Sequence, residues 1–158
     1  MNLALSEEQE ILKNTARGFL SEKCPKSFVK QMEQDEKGYS PELWEEMVNL
    51  GWTGLAFPEK YGGSDMTFLD LCVLLEEMGH ACLPAPFFST VVLGALPIIN
   101  AGREEQRKQY LLLIARGKAI FSLALIEPGL GYKPKAITVK ATPDGDAYVI
   151  NGCKLFVP

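Results

Sequence analysis

One stretch of the chain groups residues able to hold a ligand through the backbone: Leu123-Ala124-Leu125-Ile126-Glu127-Pro128-Gly129-Leu130-Gly131. It reads as an apolar strand running into a glycine-rich turn. Glycines let a backbone approach a ligand closely, and successive amides in such a turn offer donors to an anion. Lys133 and Lys135 follow, and their charge favours a phosphate. From physics alone a plain solvated turn accounts for the same residues slightly better.

Other chemistries fall away. Gly129-Leu130-Gly131-Tyr132-Lys133-Pro134 begins like a dinucleotide fingerprint, but Pro134 stands at the third glycine and no helical period follows. There is no GxSxG elbow and no GxxxxGK[ST] phosphate loop. Glu76 and Glu77 are adjacent on a helical run, point in different directions and read as a solvated face. His80, beside Gly79 at a helix end, reads as a surface or capping residue. Cys24, Cys72, Cys82 and Cys153 form no CxxC pair, so no metal site is expected. Cys72 reads as core packing, and the thiols as free in a reducing cytoplasm.

The elements that must position these residues are mostly helices. Ser6-Glu7-Glu8-Gln9 is a capping-box pattern, followed by Leu12, Ala16, Phe19 and Leu20 at helical spacing. Pro25 separates a short second helix containing Phe28, Val29 and Met32. Ser40-Pro41 starts a third, with Leu43, Trp44, Met47 and Leu50 as its buried stripe and Gly51 as its stop. Pro58, Gly62, Gly63, Ser64 and Asp65 mark a loop. Helical signal resumes at Thr67, returns over Phe87 to Ala101 with Pro97 as a kink, and ends with Glu104 to Arg116 before Gly117.

The period then changes. Ala119 to Ile126 is an apolar run of strand formers, Ile137 to Ala141 alternates, and Pro143-Asp144-Gly145 is a turn. Tyr148 to Ile150 reads as a strand, with Asn151-Gly152 as a hairpin turn before Leu155 to Val157. The expected class is mainly α with a β segment (α+β): a helical bundle over 1–117, then the start of an antiparallel β domain over 118–158. The pattern stops inside a strand, so the chain is read as a fragment of something longer.

The 158 residues are 47% hydrophobic, enough to bury a core without staples. A net charge of −4 with no long basic run argues against a nucleic-acid partner. Phe87 to Ile99 is well short of the ~20 residues of a membrane span. The opening MNLALSEEQE is acidic within ten residues and lacks a signal-peptide pattern.

Across nearly its whole length the chain resembles an acyl-CoA dehydrogenase. The matching segments are LSEEQE, YSPELWEEMVNLGWTGLAFPEKYGGSD, LLEEMGHACLPAPFFST, AGREEQRKQYLLLIARGKAIFSLALIEPGLG and YVINGCKLFVP, in that order. The resemblance implies a helical domain, a middle β domain and a C-terminal helical bundle. It implies FAD as cofactor and an acyl-CoA thioester as substrate. A glutamate of the bundle takes the α proton and the flavin takes the β hydride, so no catalytic residue is expected here. It also implies electron-transfer flavoprotein or a similar acceptor as partner, and a homo- or hetero-oligomer.

Carried over by motif, the backbone around Leu123, Leu125 and Ile126 faces the flavin. Phe156, Val157 and Pro158 flank its ring, and Tyr132 lies toward the CoA. The family signature is close to Leu-Thr-Glu-Pro-x-x-Gly-Ser-Asp. Here Ile126 replaces the threonine, Tyr132 the serine and Lys133 the aspartate. In the second signature, Lys-x-Trp/Phe-Ile-Thr/Ser, Pro158 replaces the hydroxyl residue. Up to three polar flavin contacts are lost, each worth ~1 kcal/mol, or on the order of a hundredfold together in affinity. The resemblance therefore allows two further readings: a degenerate subunit of a hetero-oligomer, and a flavin oxidase or monooxygenase.

Overall fold

A computed structural model describes residues 4–129 and 137–158. The chain divides into two compact units, Met1–Phe121 and Ser122–Pro158. The first is helical. The second carries the β structure.

Local signals set most helix starts. Helix α1 (Glu7–Lys23) opens on the Ser6–Gln9 capping box, with the Ser6 hydroxyl accepting from Gln9 N–H at 3.2 Å and Gln9 Oε1 accepting from Ser6 N–H at 3.0 Å. Helix α2 (Lys26–Met32) follows Pro25, and α3 (Pro41–Asn49) starts at proline with the Ser40 hydroxyl as cap. Helix α4 (Phe68–His80) has its own capping box from Thr67 and Asp70. These caps satisfy amides that have no partner inside the helix.

Between α3 and α4 the chain makes tight turns at Trp52–Gly54 and Glu59–Tyr61. It then doubles back, with Ser64 N–H on Gly54 O, Asp65 N–H on Phe57 O and Met66 N–H on Leu55 O. Gly63 makes this possible. A Cβ there would sit 2.1 Å from the Phe57 carbonyl oxygen.

Two later helices depart from regular α geometry. Phe88–Ala95 is a π-helix continuing into α5 (Leu96–Ala101), with Pro97 in its first turn. Arg107–Leu111 is another, lying between α6 (Glu104–Gln106) and α7 (Leu112–Ala115). Pro97, where a kink is expected, thus lies just after the first π segment, in the first turn of α5. A proline lacks the amide that a regular ladder needs, and widened turns commonly accompany such breaks.

Helices α1 and α4 run in the same direction, as their polar links show. Gln9 Nε2 donates to Asp70 Oδ1 at 2.8 Å. Two turns further on, Arg17 grips both oxygens of Glu77, each at 2.8 Å. Glu77 is 2% exposed, so the expected solvated face holds only for Glu76. An adjacent pair on a helix faces two ways, and the inward one needs a partner. Cys72 is half-buried rather than core, and the buried thiol is Cys24. Around these links pack Ala16, Leu20, Met47, Phe57, Leu71, Leu74, Phe87, Val91 and Ile114.

The end of the unit is pinned from several sides. Thr53 Oγ1 donates to Ala115 O at 2.9 Å and Trp44 Nε1 to Gly117 O at 3.3 Å. The Thr90 hydroxyl accepts from Phe121 N–H at 3.2 Å and donates to Phe121 O at 3.3 Å. Phe121 also meets Tyr110 edge to face.

In the second unit, β1 (Ala141–Asp144) pairs antiparallel with β2 (Ala147–Ile150), register Ala141↔Ile150 to Asp144↔Ala147. All eight of these residues are exposed. The β1–β2 turn is Gly145-Asp146, overlapping the turn expected over 143–145. The second hairpin, expected at Asn151-Gly152, does not form, and Leu155 bridges Ile126 instead. Gly145 supplies the left-handed backbone (φ 60°) that a two-residue turn needs. Gly152 serves a close approach instead, since a Cβ there would lie 2.3 Å from Val139 Cγ2. The expected strand over 119–126 contributes only an antiparallel bridge between Ile126 and Leu155.

The contrast between two glycines tests this account. Gly63→Ala must displace Phe57 backbone and costs on the order of 3 kcal/mol. Gly79→Ala, in α4 with nothing within 4 Å of the new Cβ, gains about 0.5–1 kcal/mol from helix propensity. Denaturant unfolding of both variants measures this, and equal effects would contradict it.

Candidate functional site

The site is built in the second unit from segments 122–127 and 153–158. Leu155 N–H donates to Ile126 O at 2.8 Å, and the Ser122 hydroxyl donates to Pro158 O. Lys154 reaches across, its Nζ 2.7 Å from Glu127 Oε1 and 3.3 Å from Leu125 O. Residues nearly thirty positions apart are thereby laid side by side.

Glu127 organises this crossing. It is 4% exposed, and a buried carboxylate must be met by donors. Four meet it: Thr138 N–H at 2.8 Å and its hydroxyl at 2.7 Å on Oε2, Val139 N–H at 3.0 Å and Lys154 Nζ on Oε1. The Lys154 ammonium, then the Thr138 hydroxyl and amide, hold its carboxyl at about 2, below the ordinary 4.5. It stays ionised at neutral pH with its oxygens engaged, which suits a clasp and not a proton acceptor.

Leu123 and Ile126 are half-buried, and Leu125 is 42% exposed. Phe156 is 81% exposed with a left-handed backbone (φ 52°), Val157 is 47% exposed, and Pro158 is exposed. Leu125, Phe156 and Val157 thus offer uncovered apolar surface on neighbouring segments. Tyr132, expected on the CoA side, lies outside the described residues, as do Gly131, Lys133 and Lys135.

Flavin chemistry needs a flat apolar support and nearby donors. The uncovered Phe156 ring and the Leu125 and Val157 side chains fit the first need. Ile126 and Pro158 bring no hydroxyl, and Pro158 no amide, so the second rests on the remaining backbone. Among the described residues no cluster of His, Cys, Asp and Glu could hold a metal ion, and no helix is long and apolar enough to cross a membrane.

Sequence reading missed the clasp. It placed Glu127 and Lys154 in separate signatures. A salt bridge across 27 positions leaves no periodic trace, and Thr138 and Val139 carry no motif.

The helical unit has the fold of known acyl-CoA-oxidising flavoproteins. The profile of the acyl-CoA dehydrogenase N-terminal domain matches residues 6–118, and the chain belongs to the acyl-CoA dehydrogenase family, a family of FAD-dependent oxidoreductases. A probable acyl-CoA dehydrogenase of Bacillus subtilis, YngJ, is 34% identical over 161 residues, covering 99% of this chain and 41% of that protein. An acyl-CoA dehydrogenase from Bacillus anthracis, solved with FAD, superposes with a TM-score of 0.84 at 30% identity, over 97% of this chain and 27% of that one. The ChsE4-ChsE5 complex from Mycobacterium tuberculosis gives 0.79 at 30%, over 98% and 39%. The chain therefore spans between 27% and 41% of the length of these relatives, and corresponds to their N-terminal part.

The clasp predicts a pH dependence. Because the carboxyl is depressed when folded, its contribution is present above 4.5 and is lost as pH falls toward 2. Amide exchange at Thr138 and Val139 stays slow at pH 5 and accelerates as pH approaches 2, once intrinsic exchange is corrected for. Glu127→Gln exposes both amides at every pH. Unchanged protection in that variant would contradict the clasp.

Proposed function

We propose that this chain is the N-terminal part of an FAD-dependent acyl-CoA dehydrogenase, made of its helical domain and the start of its β domain. The single observation that carries this is the whole-chain likeness to that family, including a relative solved with FAD. The domain limits we assign are 1–117 and 118–158.

In this reading Leu123, Leu125 and Ile126 present backbone to the flavin, while Phe156, Val157 and Pro158 flank its ring. Tyr132 lies on the CoA side. FAD, when bound, supplies the acceptor for the β hydride of the acyl-CoA. The chain's own residues bind and orient it: Phe156 by stacking, and the Glu127–Lys154 pair by fixing the two segments against each other. By resemblance to the family the proton acceptor is a glutamate of the C-terminal bundle, and Glu127, saturated with donors, is unsuited to that role. An electron-transfer flavoprotein or similar acceptor reoxidises the flavin.

A second reading has its own support. Ile126, Tyr132 and Pro158 depart from the residues that contact the cofactor in the family, and one solved relative is a complex of two named components. Here the chain is the degenerate member of a hetero-oligomer, whose partner carries the full catalytic set.

The full-length protein, purified alone and with the product of its neighbouring gene, separates the two. On the first reading the protein alone purifies yellow, and anaerobic addition of a panel of acyl-CoA thioesters bleaches the flavin. Ile126→Thr then restores one hydrogen bond and tightens FAD binding about fivefold. Bleaching only in the mixed complex supports the second reading. No bleaching in either preparation overturns both.

A further inference from the structure

Two cysteines of the helical unit meet at one cavity. Cys24 caps the end of α1, and Cys82 stands in the turn after α4, with a left-handed backbone (φ 52°). Cys24 Sγ lies 3.8 Å from the carbonyl oxygen of Ala81, the residue joined to Cys82. Both thiols are free, and both line a cavity of about 520 Å³ among α1, α2 and the end of α4. Cys24 is 5% exposed, whereas Cys82 is open to solvent. Burial pushes the Cys24 thiol up, and the nearby Cys82 thiol adds to this.

The cavity wall also carries Arg17, Lys26, Lys30 and His80, against Glu33 and Glu77. Arg17 is engaged with Glu77, so Lys26 and Lys30 against Glu33 leave the lining with one positive charge to spare. Such a rim draws an anionic reagent toward the exposed thiol.

We propose that Cys24 and Cys82 are a reversible dithiol–disulfide site, oxidised by an anionic low-molecular-weight disulfide such as oxidised glutathione. Cys82, as thiolate, attacks one sulfur of the reagent. The reagent's S–S bond breaks, a mixed disulfide forms, and one thiolate leaves and takes up the proton that Cys82 gave up. Cys24 then loses its proton and attacks the Cys82 sulfur, forming the Cys24–Cys82 bond and expelling the second thiolate, which is protonated. Two protein thiols are oxidised and one external disulfide is reduced to two thiols. The exposed residue reacts first and the buried one resolves. The bond ties the end of α1 to the end of α4, the helices that Gln9–Asp70 and Arg17–Glu77 already join.

The test treats the native full-length protein with oxidised glutathione and maps its peptides by mass spectrometry. The expected product is a Cys24–Cys82 cross-link without a lasting adduct, reversed by dithiothreitol. Its thermal midpoint is raised on the order of 10 °C. Cys24→Ser retains glutathione on Cys82, and Cys82→Ser gives neither cross-link nor midpoint rise. Cys82 is exposed, so the Cys82→Ser protein keeps its reduced-state midpoint and the comparison holds even if Cys24→Ser folds poorly. A stable adduct on wild-type Cys82, or a cross-link formed only after unfolding, overturns the proposal. Faster reaction with cationic cystamine than with glutathione overturns the anionic preference.

Discussion

A carboxylate taken out of water has to be surrounded by donors, and Glu127 is surrounded by four. They come from two places: the adjacent Thr138 and Val139, and Lys154. Satisfying one buried charge therefore dictates where three stretches of chain go. The exposed apolar residues Leu125, Phe156 and Val157 sit on segments that this charge helps to hold together, beside the Leu155–Ile126 and Ser122–Pro158 hydrogen bonds. The same depressed carboxyl that makes Glu127 a firm clasp disqualifies it as a base.

The helical unit follows the same logic with different parts. Its apolar stripes bury a core, while a few polar groups decide how the helices align. Gln9–Asp70 and Arg17–Glu77 fix α1 and α4 in one direction and register. The Thr90 hydroxyl takes both backbone groups of Phe121, so the last residue of this unit is held by a π-helix. Irregular turns of this kind persist where packing over-determines them, as it does at Gly94, whose missing Cβ leaves room for Phe121.

Local chemistry was legible in the sequence; pairing was not. Ser6, Ser40 and Thr67 announce helix starts because capping is decided within three residues. The change of period near Gly117 announces the β region, and the ordered motifs announce the family. The turn near Gly145 was legible in its Pro-Asp-Gly run, whereas the second hairpin, expected at Asn151-Gly152, does not form, although that is the better turn dipeptide in isolation. Val139 crowds Gly152 in the fold and claims it for another purpose. Glu77 was misread because Arg17, its partner, lies sixty residues earlier. The Glu127–Lys154 bond escaped for the same reason, although both residues stood in quoted motifs.

A double-mutant cycle on Glu127 and Lys154, read as FAD affinity of the full-length protein, probes the clasp as a positioning device for the flavin. Glu127→Gln and Lys154→Gln each weaken FAD by on the order of tenfold, and the double variant is no weaker than either single one, because each change already releases the same two segments. Affinities within twofold of wild type in all three variants would contradict the account, and would leave the clasp a stabiliser of the β unit with no part in holding the cofactor.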